Sequence, residues 1–167
     1  MLQLLAVDDA PKTHQNATMT ILDFIKRADL ANIAIAAPEW EPLNYGGLAA
    51  LVGKTLQSLN GAGLGRADKV AIVMPNGPLL AAAFVAVSAA CIAAPLNPAL
   101  REDEFRFCME DLNIKALIVE NDSPSPAIAA AASLDIPLID LVPHKLAGDF
   151  SLHPLTRGET PNGGFIG

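Results

Sequence analysis

Apolar positions along this chain switch repeatedly between two spacings. In some segments they recur every three or four residues, as from Leu48 to Leu59, which is typical of an amphipathic helix. In others they form short continuous runs, as from Lys69 to Met74, which is typical of a strand buried on both faces. Continuous alternation of the two patterns predicts an α/β fold: a layered, mostly parallel sheet with helices on both faces and right-handed crossovers.

Capping residues, prolines and glycines give the expected bounds of the elements. Thr20 and Asn44 are N-cap candidates, Pro78 suits a first helical position, and Gly61 is the expected left-handed residue after a helix. The regular pattern stops after Val142. We therefore expect an N-terminal extension over 1–19, an α/β subdomain over 20–142 and an irregular tail over 143–167. Within the subdomain the pattern predicts helices over 21–30, 45–60, 78–90, 102–112 and 127–134, and strands over 33–37, 69–74, 91–95, 115–119 and 136–141.

Composition and charge exclude several classes of protein. Hydrophobic residues make up 51% of the chain and charged residues 17%, which is too apolar for a disordered protein. The net charge is −7 and the eleven Lys and Arg residues are scattered, so no basic patch predicts nucleic-acid binding. The first ten residues lack the pattern of a signal peptide, and we expect a cytoplasmic protein.

One long uncharged stretch, from Val70 to Leu100, raises the question of a membrane-spanning helix. Pro75-Asn76-Gly77 interrupts it early and Pro95 late, and its centre is alanine rather than leucine. A buried strand–helix–strand unit fits better, so we expect no membrane span. Cys91 and Cys108 have no metal-ligand spacing and are expected to be buried, reduced thiols.

Four segments resemble parts of catalytic or ligand-binding motifs, but each has a simpler structural explanation. Gly61–Gly65 follows a helix and precedes a strand, the reverse of a dinucleotide loop. The run Glu102–Glu104 suits a helix N-terminus, and its side chains point in different directions. Ser123 and Ser125 have no histidine nearby in sequence, and no lysine follows the glycine-rich stretch 160–164. The residues alone therefore predict no catalytic residue, no metal site and no complete active site.

Several segments taken together add a resemblance. They are similar, in order and spacing, to motifs of the acyl-CoA synthetases, which are adenylate-forming enzymes. The resemblance covers about 20–142; Ala67 stands where the family usually has glycine, and Lys69 where it has arginine. The segments are Leu43-Asn44-Tyr45, 63–76, Ala94-Pro95-Leu96-Asn97-Pro98 with Glu104 and Phe105, and 115–119.

This resemblance implies an activity and also shows which parts of the active site are absent from the 167 residues. Such enzymes use Mg-ATP to convert a carboxylate into an acyl adenylate, then pass the acyl group to coenzyme A. The family's phosphate loop, ribose aspartate and catalytic lysine have no counterpart in the 167 residues, so ATP, Mg and CoA are implied for the complete enzyme only. By position, the resemblance places Asn97, Pro98 and Ala99 near the coenzyme A nucleotide.

The resulting expectation is an incomplete N-terminal subdomain of a synthetase, inactive alone, whose partner is the missing remainder of the enzyme. Apolar surface that the remainder would cover predicts self-association. Two alternatives stay open. One is a stand-alone binding domain with a borrowed fold, which a tail folded back on the sheet would favour. The other is an unrelated small enzyme with a pocket near Asn76 or Asn97.

Overall fold

The computed structural model describes residues 19–154, which form two sheets and five helices. The larger sheet has five strands in the order β4-β3-β5-β6-β7, and the smaller pairs β1 with β2. The elements in chain order are α1 Ile21–Ile25, β1 Ile33–Ile35, β2 Leu43–Asn44, α2 Tyr45–Gly61, β3 Lys69–Val73, α3 Pro78–Ser88, β4 Ile92–Pro95, α4 Glu102–Leu112, β5 Ile114–Glu120, α5 Ala127–Ser133, β6 Leu138–Pro143 and β7 Phe150–Pro154.

The large sheet confirms the predicted α/β class. Strands β4, β3, β5 and β6 run parallel, and only β7 is antiparallel to its neighbour. The chain passes from β3 outward to β4, then crosses back over β3 to reach β5. Adjacent strands β3 and β5 therefore send their following helices to opposite faces, which is the arrangement that opens a crevice at the carboxyl ends of parallel strands.

Each face of the sheet carries its own core. One core contains buried residues of α1, α2 and α3, including Val52 and Ala86, against Ile72 and Ile118. The other contains α4 and α5, with Phe105 and Met109 against Leu117. The alanines of α3 and α5 that face the sheet are fully or almost fully buried, so these short helices lie close to the strands; they are Ala82, Ala83, Ala86, Ala127, Ala130 and Ala131.

The ends of α2 follow local rules, with one correction. Asn44 accepts a hydrogen bond from the Gly47 amide at 2.8 Å, as an N-cap does. The left-handed residue after the helix is Gly63, with φ of 82°, and not Gly61, which still belongs to the helix. The expectation was wrong by two residues, since the helix continues through Gly61 and its C-cap is Ala62.

The tail expected to be irregular over 143–167 contains a strand. In β7, Phe150 is buried in the core and Leu152 packs partly against it, while Ser151 and His153 lie on the opposite face. This period-two alternation is the signature of a strand, but the prolines and glycines around it hid the signal. Residues 155–167 lie outside the described part of the chain, as do residues 1–18 of the expected N-terminal extension.

Two smaller expectations also change. The apolar run at Ile33 does form a strand, but it pairs antiparallel with the two-residue strand β2 rather than joining the large sheet. Cys91 is buried as expected, whereas Cys108 is only partly buried because it lies at the border of the inner face of α4. Over residues 19–154, no helix is both long enough and apolar enough to cross a membrane.

Candidate functional site

The carboxyl edge of the parallel strands holds the turn that the sequence singled out. Asn97, Pro98 and Ala99 follow β4 after one residue, Leu96, and are exposed. The Asn97 side chain accepts a hydrogen bond from the Ala99 amide at 3.0 Å, and the Asn97 carbonyl accepts one from Leu100 at 3.2 Å. These bonds fix a tight turn that presents the Asn97 amide group to solvent. A role in binding a nucleotide stays a prediction.

Asn76 lies at the same edge, after the neighbouring strand β3. Because β3 and β4 are parallel and paired, their carboxyl ends leave the sheet side by side. Both asparagines are exposed. They offer amide groups to a ligand at this edge, but an asparagine side chain cannot act as an acid, a base or a nucleophile near neutral pH.

The acidic run at the start of α4 is a cap, as the sequence predicted. The Glu104 carboxylate accepts a hydrogen bond from the Arg101 amide at 2.9 Å and lies 3.5 Å from the Arg101 guanidinium. The backbone amide and side chain of Arg101 lower the pKa of Glu104. Ser125 likewise stabilises a helix start: its hydroxyl accepts a hydrogen bond from the Ala127 amide at 3.2 Å, where α5 begins.

A cleft with a volume of about 490 Å³ lies at the opposite edge, near the amino ends of β3 and β4. Burial, followed by the nearby Asp68, raises the pKa of the Cys91 thiol at this cleft, which keeps the thiol protonated. Its lining residues are Met19, Thr20, Ile21, Leu56, Asn60, Arg66, Ser88, Ala89, Ala90 and Cys91. Nothing in this lining forms a catalytic pair.

Sequence reasoning missed a polar group that the β6–β7 hairpin assembles. The Ser151 hydroxyl lies 2.9 Å from His153 Nε2, and Asp140 stands directly opposite His153 in the strand register. Asp140 is only 8% exposed. Asp122, in the loop after β5, is close enough to raise the pKa of Asp140. The Ser-x-His spacing was visible in the sequence, but the strand that aligns it with Asp140 was not predicted.

Three effects act on the pKa of Asp140. Burial raises it most, Asp122 raises it further, and His153 lowers it in part, so that the net shift is upward. Asp140 is 8% exposed, and among the described residues no fully buried side-chain oxygen lacks a hydrogen-bond partner. Around this hairpin, and throughout residues 19–154, no three His, Cys, Asp or Glu side chains are placed to hold a metal ion.

Replacing Asp140 with asparagine is expected to stabilise the protein at neutral pH. A folded-state pKa above the unfolded value means that the protonated form is favoured in the fold. The associated stability is present at pH below 3.8 and is lost as the pH rises through the folded-state pKa. Thermal melts of both proteins from pH 4 to 8 measure this: the advantage of Asp140→Asn should grow with pH. An advantage that is constant or reversed would contradict the assignment.

Comparison with known proteins gives the family. The model of a family described as "AMP-binding enzyme" matches residues 24–155. Oxalate–CoA ligase of Arabidopsis thaliana is 32% identical over 117 residues, which is 64% of this chain and 23% of that protein. Oxalate–CoA ligase of Saccharomyces cerevisiae is 40% identical over 97 residues, 53% of this chain and 18% of that protein.

Solved structures share the fold. Apo MatB from Rhodopseudomonas palustris superimposes with a TM-score of 0.65 at 23% identity, covering 80% of this chain and 26% of MatB. The same values hold for MatB with ATP bound. The chain thus spans between 18% and 26% of the length of these relatives. Because the family model matches most of the chain and includes every strand of the large sheet, this chain belongs to the AMP-binding enzyme family, over the N-terminal portion of its relatives.

Proposed function

We propose that this chain forms the N-terminal α/β part of an ATP-dependent acid–CoA ligase. Such a ligase joins a carboxylate to ATP, releases pyrophosphate, and transfers the acyl group from AMP to the thiol of CoA. The observation that carries the proposal is the match to the AMP-binding enzyme family over residues 24–155. Two relatives with the name oxalate–CoA ligase support the class of reaction.

On this proposal, the described residues supply a scaffold and one edge of a binding site. The exposed turn at Asn97, Pro98 and Ala99 would lie near the coenzyme A nucleotide. Its polar groups can orient a ligand but cannot take up or release a proton near neutral pH. The groups that act on ATP and Mg are expected in the part of the ligase that these 167 residues do not contain, so the missing remainder is the proposed partner.

The chain alone is therefore expected to form no acyl adenylate. Carboxylate-dependent exchange of labelled pyrophosphate into ATP should stay at background for residues 1–167, with oxalate and with longer-chain acids. Full-length Arabidopsis oxalate–CoA ligase with oxalate serves as the positive control. Exchange above background that follows the purified chain through two chromatography steps would contradict this prediction.

The DNA that encodes the chain offers an independent test of the proposed class. About thirty codons beyond that of Gly167 should encode a Gly-rich Ser/Thr segment ending in Pro-Lys-Gly, the phosphate loop expected from the resemblance. In frame, the loop would mean that the chain is part of a whole ligase; out of frame, that the gene is interrupted. No such segment in any frame would favour a separate binding domain.

The binding-domain alternative has one observation in its favour. Strand β7 folds back onto β6 and buries Phe150, as a self-contained domain would require. However, β7 lies within the residues that match the family, so this feature does not separate the two proposals. The self-association expected from the sequence also stays a prediction, supported by Phe24 and Phe107, which are 71% and 68% exposed.

A further inference from the structure

The edge strand β7 carries a hydroxyl and an imidazole in direct contact. Ser151 and His153 are two residues apart, so their side chains lie on the same face of the strand. The distance from Ser151 Oγ to His153 Nε2 is 2.9 Å. Ser151 is partly exposed and His153 is exposed, so a small molecule can reach both. A serine hydroxyl is a weak nucleophile until a base placed in this way removes its proton.

The carboxylate behind this pair is costly to retain. Asp140 faces His153 across the β6–β7 ladder and is 8% exposed, and this burial raises the pKa of its carboxyl group. Removing a carboxylate from water lowers stability unless other contacts compensate. A destabilising acid next to a base and a nucleophile is the kind of arrangement found at functional sites.

The charge of Asp140 acts on His153 across the strand pair, without a hydrogen bond or an ion pair between these two side chains. A negative charge near an imidazole stabilises the imidazolium that forms when the ring takes up a proton. In the tautomer with its proton on Nδ1, Nε2 has a free lone pair toward the Ser151 hydroxyl. His153 can then accept the Ser151 proton at Nε2 as Oγ attacks. The roles are those of a nucleophile, a base and an orienting acid, which recur on unrelated folds.

We propose that Ser151 is an activated nucleophile, with His153 as its general base and Asp140 as a positioning residue, and that it accepts the acyl group of activated acyl esters and thioesters. Oγ forms a bond to the acyl carbon, and the bond from that carbon to the leaving oxygen or sulfur breaks. The Oγ proton passes to His153 Nε2 and then to the leaving group. Water releases the acid in a second step, with His153 again as the base.

This activity goes beyond the proposed ligase function and needs neither ATP nor CoA. Its probe is a fluorophosphonate, which reacts with activated serine hydroxyls and leaves a stable adduct of known mass. Treatment of the full chain at pH 8 is expected to give one adduct, mapped by peptide mass spectrometry to Ser151. Ser151→Ala should abolish it, and Ser123→Ala, in the loop before α5, should not. Absence of the adduct from the folded wild-type chain, or its placement on another residue, would overturn the proposal.

Two further variants separate activation from structure. His153→Gln should slow labelling at least 10²-fold, in line with the contribution of general-base catalysis. Asp140→Asn should slow labelling about 10-fold or more, since the orienting charge is lost, while it raises Tm at neutral pH. A purely structural Asp140 would change Tm alone. Unchanged labelling in either variant, with circular dichroism matching the wild type, would refute the assigned roles.

Release of p-nitrophenol from p-nitrophenyl acetate gives a second readout. The rate of p-nitrophenol release should fall in the variants Ser151→Ala, His153→Gln and Asp140→Asn, and their order should match that of the labelling rates. Pyrophosphate exchange reports on the ligase proposal separately, because it does not involve Ser151. Each proposal can therefore fail while the other stands.

Discussion

Replacing Phe105 with alanine is expected to lower the free energy of unfolding by about 3–5 kcal/mol, which is typical for a fully buried phenylalanine. Phe105 has no exposed surface and lies in the core between α4 and the sheet, together with Met109, Leu117 and Val119. Removing the ring leaves a cavity that the packed alanines of α5 cannot fill, because short side chains have little reach. Urea denaturation followed by circular dichroism measures the loss.

Phe107 provides a matched control on the same helix. It is 68% exposed, since two residues along a helix turn its side chain away from the sheet. Phe107→Ala should change the free energy of unfolding by no more than about 0.5 kcal/mol, as surface substitutions usually do. Equal losses for the two variants would mean that α4 does not present Phe105 to the core. A loss of about 2 kcal/mol or more for Phe107→Ala would contradict the exposed position of that ring.

How far the sequence predicted this fold depended on the type of signal. The four parallel strands are continuous apolar runs whose order along the chain predicts a covered sheet, and that class is confirmed. The helix bounds were close where a cap or a proline defined them, as at Asn44 and Pro78. Strand β2 has only two residues, which is too short for any periodic pattern.

The candidate sites divide in a similar way. The turn at Asn97 could be placed because strand ends and turn residues are local features. The group of Asp140, Ser151 and His153 could not, because it depends on pairing between β6 and β7. Asp140 lies within an apolar run and His153 among prolines, so neither stood out in the sequence. A group of polar side chains that strand pairing brings together can be predicted only when the register of the two strands is known. Composition and residue spacing do not give that register.

Gly148 shows the same dependence on long-range contacts. It lies in the loop between β6 and β7, with φ of 81°, a left-handed conformation that suits glycine. A Cβ added there would lie 2.7 Å from the Pro78 carbonyl oxygen and 3.0 Å from the Ala82 Cβ. The loop thus lies directly against the start of α3, far away in sequence. Only a residue without a side chain allows this approach, which holds the β6–β7 hairpin against the α3 face.

Gly148→Ala is therefore expected to lower the free energy of unfolding by about 2–4 kcal/mol, combining left-handed strain with displacement of a backbone oxygen. Gly53→Ala is the matched control: Gly53 is inside α2, with no atom within 4 Å of an added Cβ. That change should instead stabilise the protein, by about 0.5–1 kcal/mol, because alanine is the better helix former. Urea titrations of both variants decide the matter. If Gly148→Ala unfolds at the wild-type urea concentration, the loop does not pack on α3, and the alignment of Ser151 and His153 with Asp140 loses its support.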